Sequence, residues 1–141
     1  MMGNDLVMKK VNNLGAFIKY LEKTPDNSWT MDVVRTKDGK NCVLGHLIDY
    51  VYGKDYEGNI MPAWDWFSEM WATEYMYYPV NDGNSPSWMN FKYDQATPKQ
   101  RIIAYLTNLK DGKEMNSYQC MEQDYAESEP LAAPQSNKED E

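Results

Sequence analysis

One stretch of this chain sets a thiol, an imidazole and a carboxylate at helical spacing: Asn41-Cys42-Val43-Leu44-Gly45-His46-Leu47-Ile48-Asp49-Tyr50-Val51-Tyr52-Gly53. At about 100° per residue, Val43, Leu44, Leu47, Ile48 and Val51 gather into an apolar stripe. Cys42, Gly45, His46 and Asp49 fall on the opposite side. A histidine one turn from a cysteine can lower the thiol pKa, and an aspartate can orient the ring. Side chains at i and i+4 run roughly parallel, however, and no oxyanion-hole signature accompanies the trio. The competing reading is packing, with Cys42 and Gly45 as a tight second face and His46 bonded to a nearby loop. Packing is the reading the sequence favours.

Asp82, in Val80-Asn81-Asp82-Gly83, is a further acid that could meet His46 from across the fold. A thiol-dependent hydrolase or transferase would then use Cys42 with His46 and either Asp49 or Asp82. Metal binding is not expected, because structural zinc takes four ligands and the protein has a single histidine. Asp82, Asn84 and Ser85 lack the spaced oxygens and closing glutamate of a calcium loop, so an Asx-type turn is the expected role of that segment. No cofactor is implied.

Aromatic residues point instead to contact. Residues 50–93 hold thirteen of the nineteen aromatics. Trp64, Phe67 and Trp71 share a helix face and are expected in the core, whereas Trp66, Tyr77, Tyr78 and Trp88 exceed what one face can bury. Tryptophan and tyrosine are enriched at the energetic centres of protein interfaces, so these four are the expected interaction surface. The net charge of −8 lies mostly in residues 113–141, where eight acids face only Lys113 and Lys138. The body is near neutral, and no basic stripe is available for direct nucleic-acid binding. The tail reads as a solvated end or as a competitor for a partner's basic groove.

The elements that would position these groups follow from periodicity. Val7, Val11, Leu14, Ile18 and Leu21 alternate at four and three, predicting one helix over 5–23 that ends at Thr24-Pro25. Close approach of a neighbour would account for Gly15 inside it. Residues 28–37 alternate as a short strand ahead of an Asp38-Gly39 turn, with Tyr78 to Val80 as its expected partner. Asn41 is the expected N-cap of the central helix and Gly53 its stop. Pro62 opens a helix reaching Tyr75. Thr97-Pro98-Lys99-Gln100 is a capping box starting a last helix buried through Ile102, Ile103, Leu106 and Leu109 and closed by Gly112. A weak helix over 115–126 precedes a flexible acidic end.

The fold class expected is therefore mainly α (α+β at the margin): a compact bundle of about four helices with a small two-stranded element. The domain is 1–112, and 113–141 is an acidic C-terminal extension. Two cysteines far apart, Cys42 and Cys120, suggest free thiols in a reducing compartment. No run approaches the roughly 20 apolar residues of a membrane span, and residues 1–10 carry no signal-peptide pattern, so a cytoplasmic location is expected.

Taken in order, Trp29, Arg35-Thr-Lys-Asp-Gly39, Cys42-Val-Leu-Gly-His-Leu47, Val80-Asn-Asp-Gly83 and Thr97-Pro-Lys-Gln-Arg-Ile-Ile-Ala-Tyr-Leu106 carry a resemblance. The pattern resembles a family of small uncharacterised domains from bacteriophages, prophages and bacteria, over roughly residues 10–110. His46 stands where those domains often carry alanine, and the aromatic segment 54–78 and the chain after Gly112 are additions. The resemblance implies a mostly helical fold, a mobile-element origin and no catalytic activity. The expected function is a non-enzymatic interaction protein acting on a host or viral protein, with the thiol enzyme as alternative and a structural virion component as a third reading.

Overall fold

A computed structural model describes residues 4–83, 93–119 and 122. Among them the chain forms α1 (Asn4–Asn12), α2 (Leu14–Glu22), a 3-10 turn (Asp26–Ser28), α3 (Val43–Tyr52), α4 (Met61–Met70), α5 (Glu74–Asp82) and α6 (Pro98–Lys110). The protein is mainly helical, and no described helix is long and apolar enough to cross a membrane. Helix α2 packs on α6, α1 on α4 and α5 on α6, while α3 touches α1, α2, α4 and α5. The stripe Val43, Leu44, Leu47, Ile48 and Val51 is buried as a unit. It anchors α3 in the shared core.

The expected 5–23 helix is two helices. Its seam is intact, since Val7, Val11, Leu14, Ile18 and Leu21 are all buried. Asn13 breaks it by capping α2, its side chain accepting from the Ala16 N–H at 3.1 Å. An asparagine competes well for that role because its carbonyl satisfies a donor the helix leaves free. Gly15 meets only ordinary contacts, the nearest being Lys110 Cδ at 3.6 Å from the position of an added Cβ. No close approach requires a glycine there.

The 62–75 helix likewise stops early. Helix α4 ends at Met70, where the Trp71 indole donates to the Val11 carbonyl at 3.0 Å. The chain then restarts as α5. Residues 78–80, read as a strand, lie in α5 because Met76, Tyr77 and Val80 are buried together at helical spacing.

No two-stranded element forms among the described residues. Residues 28–37 make only isolated bridges, Trp29 with Asn41 and Arg35 with Asn41. Asp32, at φ 72°, takes the left-handed conformation that interrupts an extended run. Among the described residues the expected four helices become six, the first pattern being divided at the Asn13 cap and the third at Trp71.

Helix α6 starts as its sequence requires, with Thr97 accepting from the Gln100 N–H at 3.1 Å. Contacts continue past Gly112. Ser117 donates through its hydroxyl to the Ser68 carbonyl at 2.6 Å, and Glu114 accepts from the Tyr93 hydroxyl at 2.8 Å. Most of the expected acidic tail, and part of the 115–126 helix, lie outside the described residues.

Candidate functional site

The polar face of α3 is covered by the loop 29–41 and by the end of α5. The Cys42 N–H donates to the Val34 carbonyl at 3.0 Å, the Asn41 N–H to Ser28 at 2.8 Å and the Thr30 N–H to Asn41 at 2.9 Å. Asn41 does not cap α3. Cys42 occupies the cap position without a side-chain bond, and the Val43 N–H donates to the Asn81 side chain at 3.0 Å. A helix end needs its free donors satisfied; here a residue from α5 does it. The Asn81 amide also donates to the Thr30 carbonyl and to Asp82, each at 3.0 Å. Asp82 in turn accepts from the Asp32 N–H at 3.3 Å. The Val80–Gly83 segment is thus a clasp holding loop to helix.

Cys42 is fully buried. Burial pushes its thiol pKa up, against smaller lowering from backbone N–H groups of Gly45 and Leu44. Asp82 adds to the rise, because a nearby negative charge disfavours a thiolate. Gly45 sits against the Val34 carbonyl, which an added Cβ would meet at 2.6 Å.

Asp49 is bound elsewhere than to His46. Its carboxylate accepts from Arg35 Nη2 at 2.6 Å and from the Asn41 amide at 2.9 Å. Arg35 Nε also donates to Asn41 Oδ1 at 2.8 Å, closing an Arg35–Asn41–Asp49 triangle. His46 packs against Trp29 with the rings tilted by 39° and their centroids 4.3 Å apart. It is 3% exposed, and its Nε2 has no hydrogen-bond partner. Burial is the main cause that brings its pKa down to about 4, opposed by Asp49 and by a hydrogen bond to the Ser28 backbone, with Lys54 and Arg35 adding smaller falls. At neutral pH the ring is uncharged. Thiol, imidazole and carboxylates therefore share a neighbourhood without converging on a reacting point.

A cavity of about 310 Å³ opens beside this triangle, between the end of α2, the 3-10 turn, the loop and α3. Tyr20, Thr24, Ser28, Arg35, His46 and Lys54 are among the residues that line it. Arg35 escaped attention in the sequence as Asp49's partner because the two are separated by fourteen positions. The one available signal was its place in Arg35-Thr-Lys-Asp-Gly39.

No family model, curated protein or solved structure matches the chain. The site is therefore read from its own geometry.

The aromatic set divides. Tyr77 is wholly buried, packed edge-on against Phe67 at 5.8 Å between centroids. Trp66 and Tyr78 are half-buried against the core, and Trp88 lies outside the described residues. Among large apolar side chains, Met31 and Val33 are more exposed, at 45% and 48%. Among the described residues no three His, Cys, Asp or Glu side chains form a metal-holding group.

Proposed function

We propose that this chain is a non-enzymatic interaction protein, encoded by a phage or other mobile element, that modulates a host or viral protein by contact. The observation that carries the reading is the exposed pair Met31 and Val33 on a segment held in place at several points. Thr30 is tied to Asn41 and Asn81, Asp32 to Asp82, and Val34 to Cys42. An apolar tip fixed before binding loses little freedom on docking. Trp66 and Tyr78 can extend the contact area, and the thiol enzyme gains no support from a buried, raised-pKa cysteine.

The test places a photo-crosslinking residue at position 33 in otherwise native protein and exposes it to host lysate. The reading expects one dominant protein adduct, lost in a Met31→Glu variant carrying the same crosslinker. Adducts spread over abundant proteins, or insensitive to Met31→Glu, overturn it. In parallel, iodoacetamide should leave Cys42 unmodified in the native state. Alkylation as an anion well below the ordinary thiol pKa of about 8.5 would instead favour the thiol enzyme.

A further inference from the structure

Arg101 lies buried where α6 meets the end of α5 and the apolar tip. Its guanidinium donates to three backbone carbonyls: Nε to Val80 at 2.9 Å, Nη2 to Asn81 at 2.9 Å and Nη1 to Gln95 at 2.8 Å. A further partner is the Met31 sulfur, which accepts from Nη2 at 3.8 Å. Asp82 acts on this cation across space, but no carboxylate forms an ion pair with it among the described residues. A buried charge is costly unless its hydrogen bonds are strong. A thioether is a weak acceptor, so one N–H of this cation meets the poorest acceptor of the set.

Met31 faces two ways. Its side chain belongs to the exposed tip, while its sulfur rests against the guanidinium beneath. Met8 and Met61 are exposed to a similar degree, and Met76 is buried. Of the three exposed methionines, Met31 alone has a hydrogen-bond donor at its sulfur among the described residues. Exposed methionine is open to oxidation to the sulfoxide, which turns an apolar side chain into a polar one. At Met31 the added oxygen would be a full acceptor on the atom that Nη2 already addresses.

We propose that Met31 is an oxidation switch on the apolar tip: a peroxide converts its thioether to the sulfoxide, whose oxygen takes the hydrogen bond of Arg101 Nη2 and makes the tip polar. A sulfur lone pair attacks one peroxide oxygen, the O–O bond breaks as the S–O bond forms, and the other oxygen leaves as water. Sulfur gives up two electrons and the peroxide accepts them. A methionine sulfoxide reductase reverses the step, with a dithiol becoming a disulfide and the oxygen leaving as water. Charge-assisted hydrogen bonds are roughly twice as strong as neutral ones, so Arg101 holds the oxidised form in place. Loss of the partner on oxidation rests on the docking reading above; the bond to Arg101 does not.

The test treats the full chain with hydrogen peroxide, locates sulfoxide by peptide mass spectrometry and follows the arginine Nε–H signals by NMR. The chain has two arginines, so Arg35→Lys assigns the Arg101 signal. Sulfoxide should form at Met31 and Met61 while Met76 stays reduced. The Arg101 signal should shift in the wild type, stay in place in Met31→Leu treated alike, and return after reductase treatment. A crosslinker at position 33 should lose its dominant adduct on oxidation of the wild type and keep it in Met31→Leu. Met31 staying reduced while Met61 is oxidised overturns the proposal. So does an Arg101 signal that moves equally in Met31→Leu, or an adduct that the oxidised wild type retains. The NMR readout needs no partner, so failure of the docking reading is distinguishable from failure of the switch.

Discussion

Replacing Gly45 by alanine should destabilise the protein although alanine is the better helix former. In an unobstructed helix interior, Gly→Ala gains about 1 kcal/mol. At Gly45 the new Cβ would stand 2.6 Å from the Val34 carbonyl oxygen, 2.7 Å from Asn41 Oδ1 and 2.8 Å from Asn41 Cβ. The first of these is backbone and cannot rotate away. Overpacking of this kind costs about 1–3 kcal/mol. Shifting the loop to relieve it strains the Cys42–Val34 and Arg35–Asn41 hydrogen bonds, at about 1 kcal/mol each. Net of the helix gain, Gly45→Ala should lose about 2–4 kcal/mol, lowering the urea midpoint by about 1–2 M. Gly15→Ala is the internal control. Its Cβ would meet nothing nearer than 3.6 Å, so it should be neutral or stabilising by up to about 1 kcal/mol. If Gly45→Ala matches or exceeds the wild type in stability, the close packing of loop on helix is refuted.

Three further perturbations probe the same arrangement. Asn81→Ala removes the acceptor of the buried Val43 N–H and should cost about 2–4 kcal/mol in urea titration; a loss under about 1 kcal/mol would mean water replaces it freely. Arg35→Met leaves Asp49, with a side chain only 6% exposed, facing Asn41 alone. Discounted for the half-open arginine, the loss should be about 1–3 kcal/mol, partly restored by adding Asp49→Asn; no coupling between the two changes would refute the ion pair. For His46 the unfolded ring protonates near pH 6.5 and the native ring near 4, so between these values the unfolded state binds more protons. Stability should therefore fall by about 2–3 kcal/mol from pH 6.5 to 4 through this residue and level off below. His46→Gln should flatten that part of the profile, and an unchanged slope would sink the assignment.

Apolar periodicity identified the helices because the sides that face the core are fixed by residue spacing alone. Val7, Val11, Leu14, Ile18 and Leu21 are buried regardless of the break at Asn13. The break was harder to read, because a pattern of fours and threes passes smoothly through a residue that caps the next helix. Tyr78–Val80 misled for a related reason. Three residues are too few to separate a period of two from one of 3.6, and it takes Met76 and Tyr77, outside that window, to reveal the helix.

The chemistry of α3 was legible as a list of groups and not as their destinations. Cys42, His46 and Asp49 do share a face, as spacing requires, but the loop brought over that face decides what each one meets. Burying a polar helix face costs free energy unless its groups find partners. Loop 29–41 and the Asn81–Asp82 clasp supply those partners for the Val43 N–H and for the Asp49 carboxylate. These pairings span eight to fifty-one positions, beyond the reach of any local pattern. Of the buried side-chain atoms of α3, His46 Nε2 alone stays unmatched among the described residues, with its ring packed against Trp29. The covering loop thus settles the chemistry of the face: Arg35 is spent on Asp49, His46 is closed in under Trp29, and the same anchoring presents Met31 and Val33 at the surface.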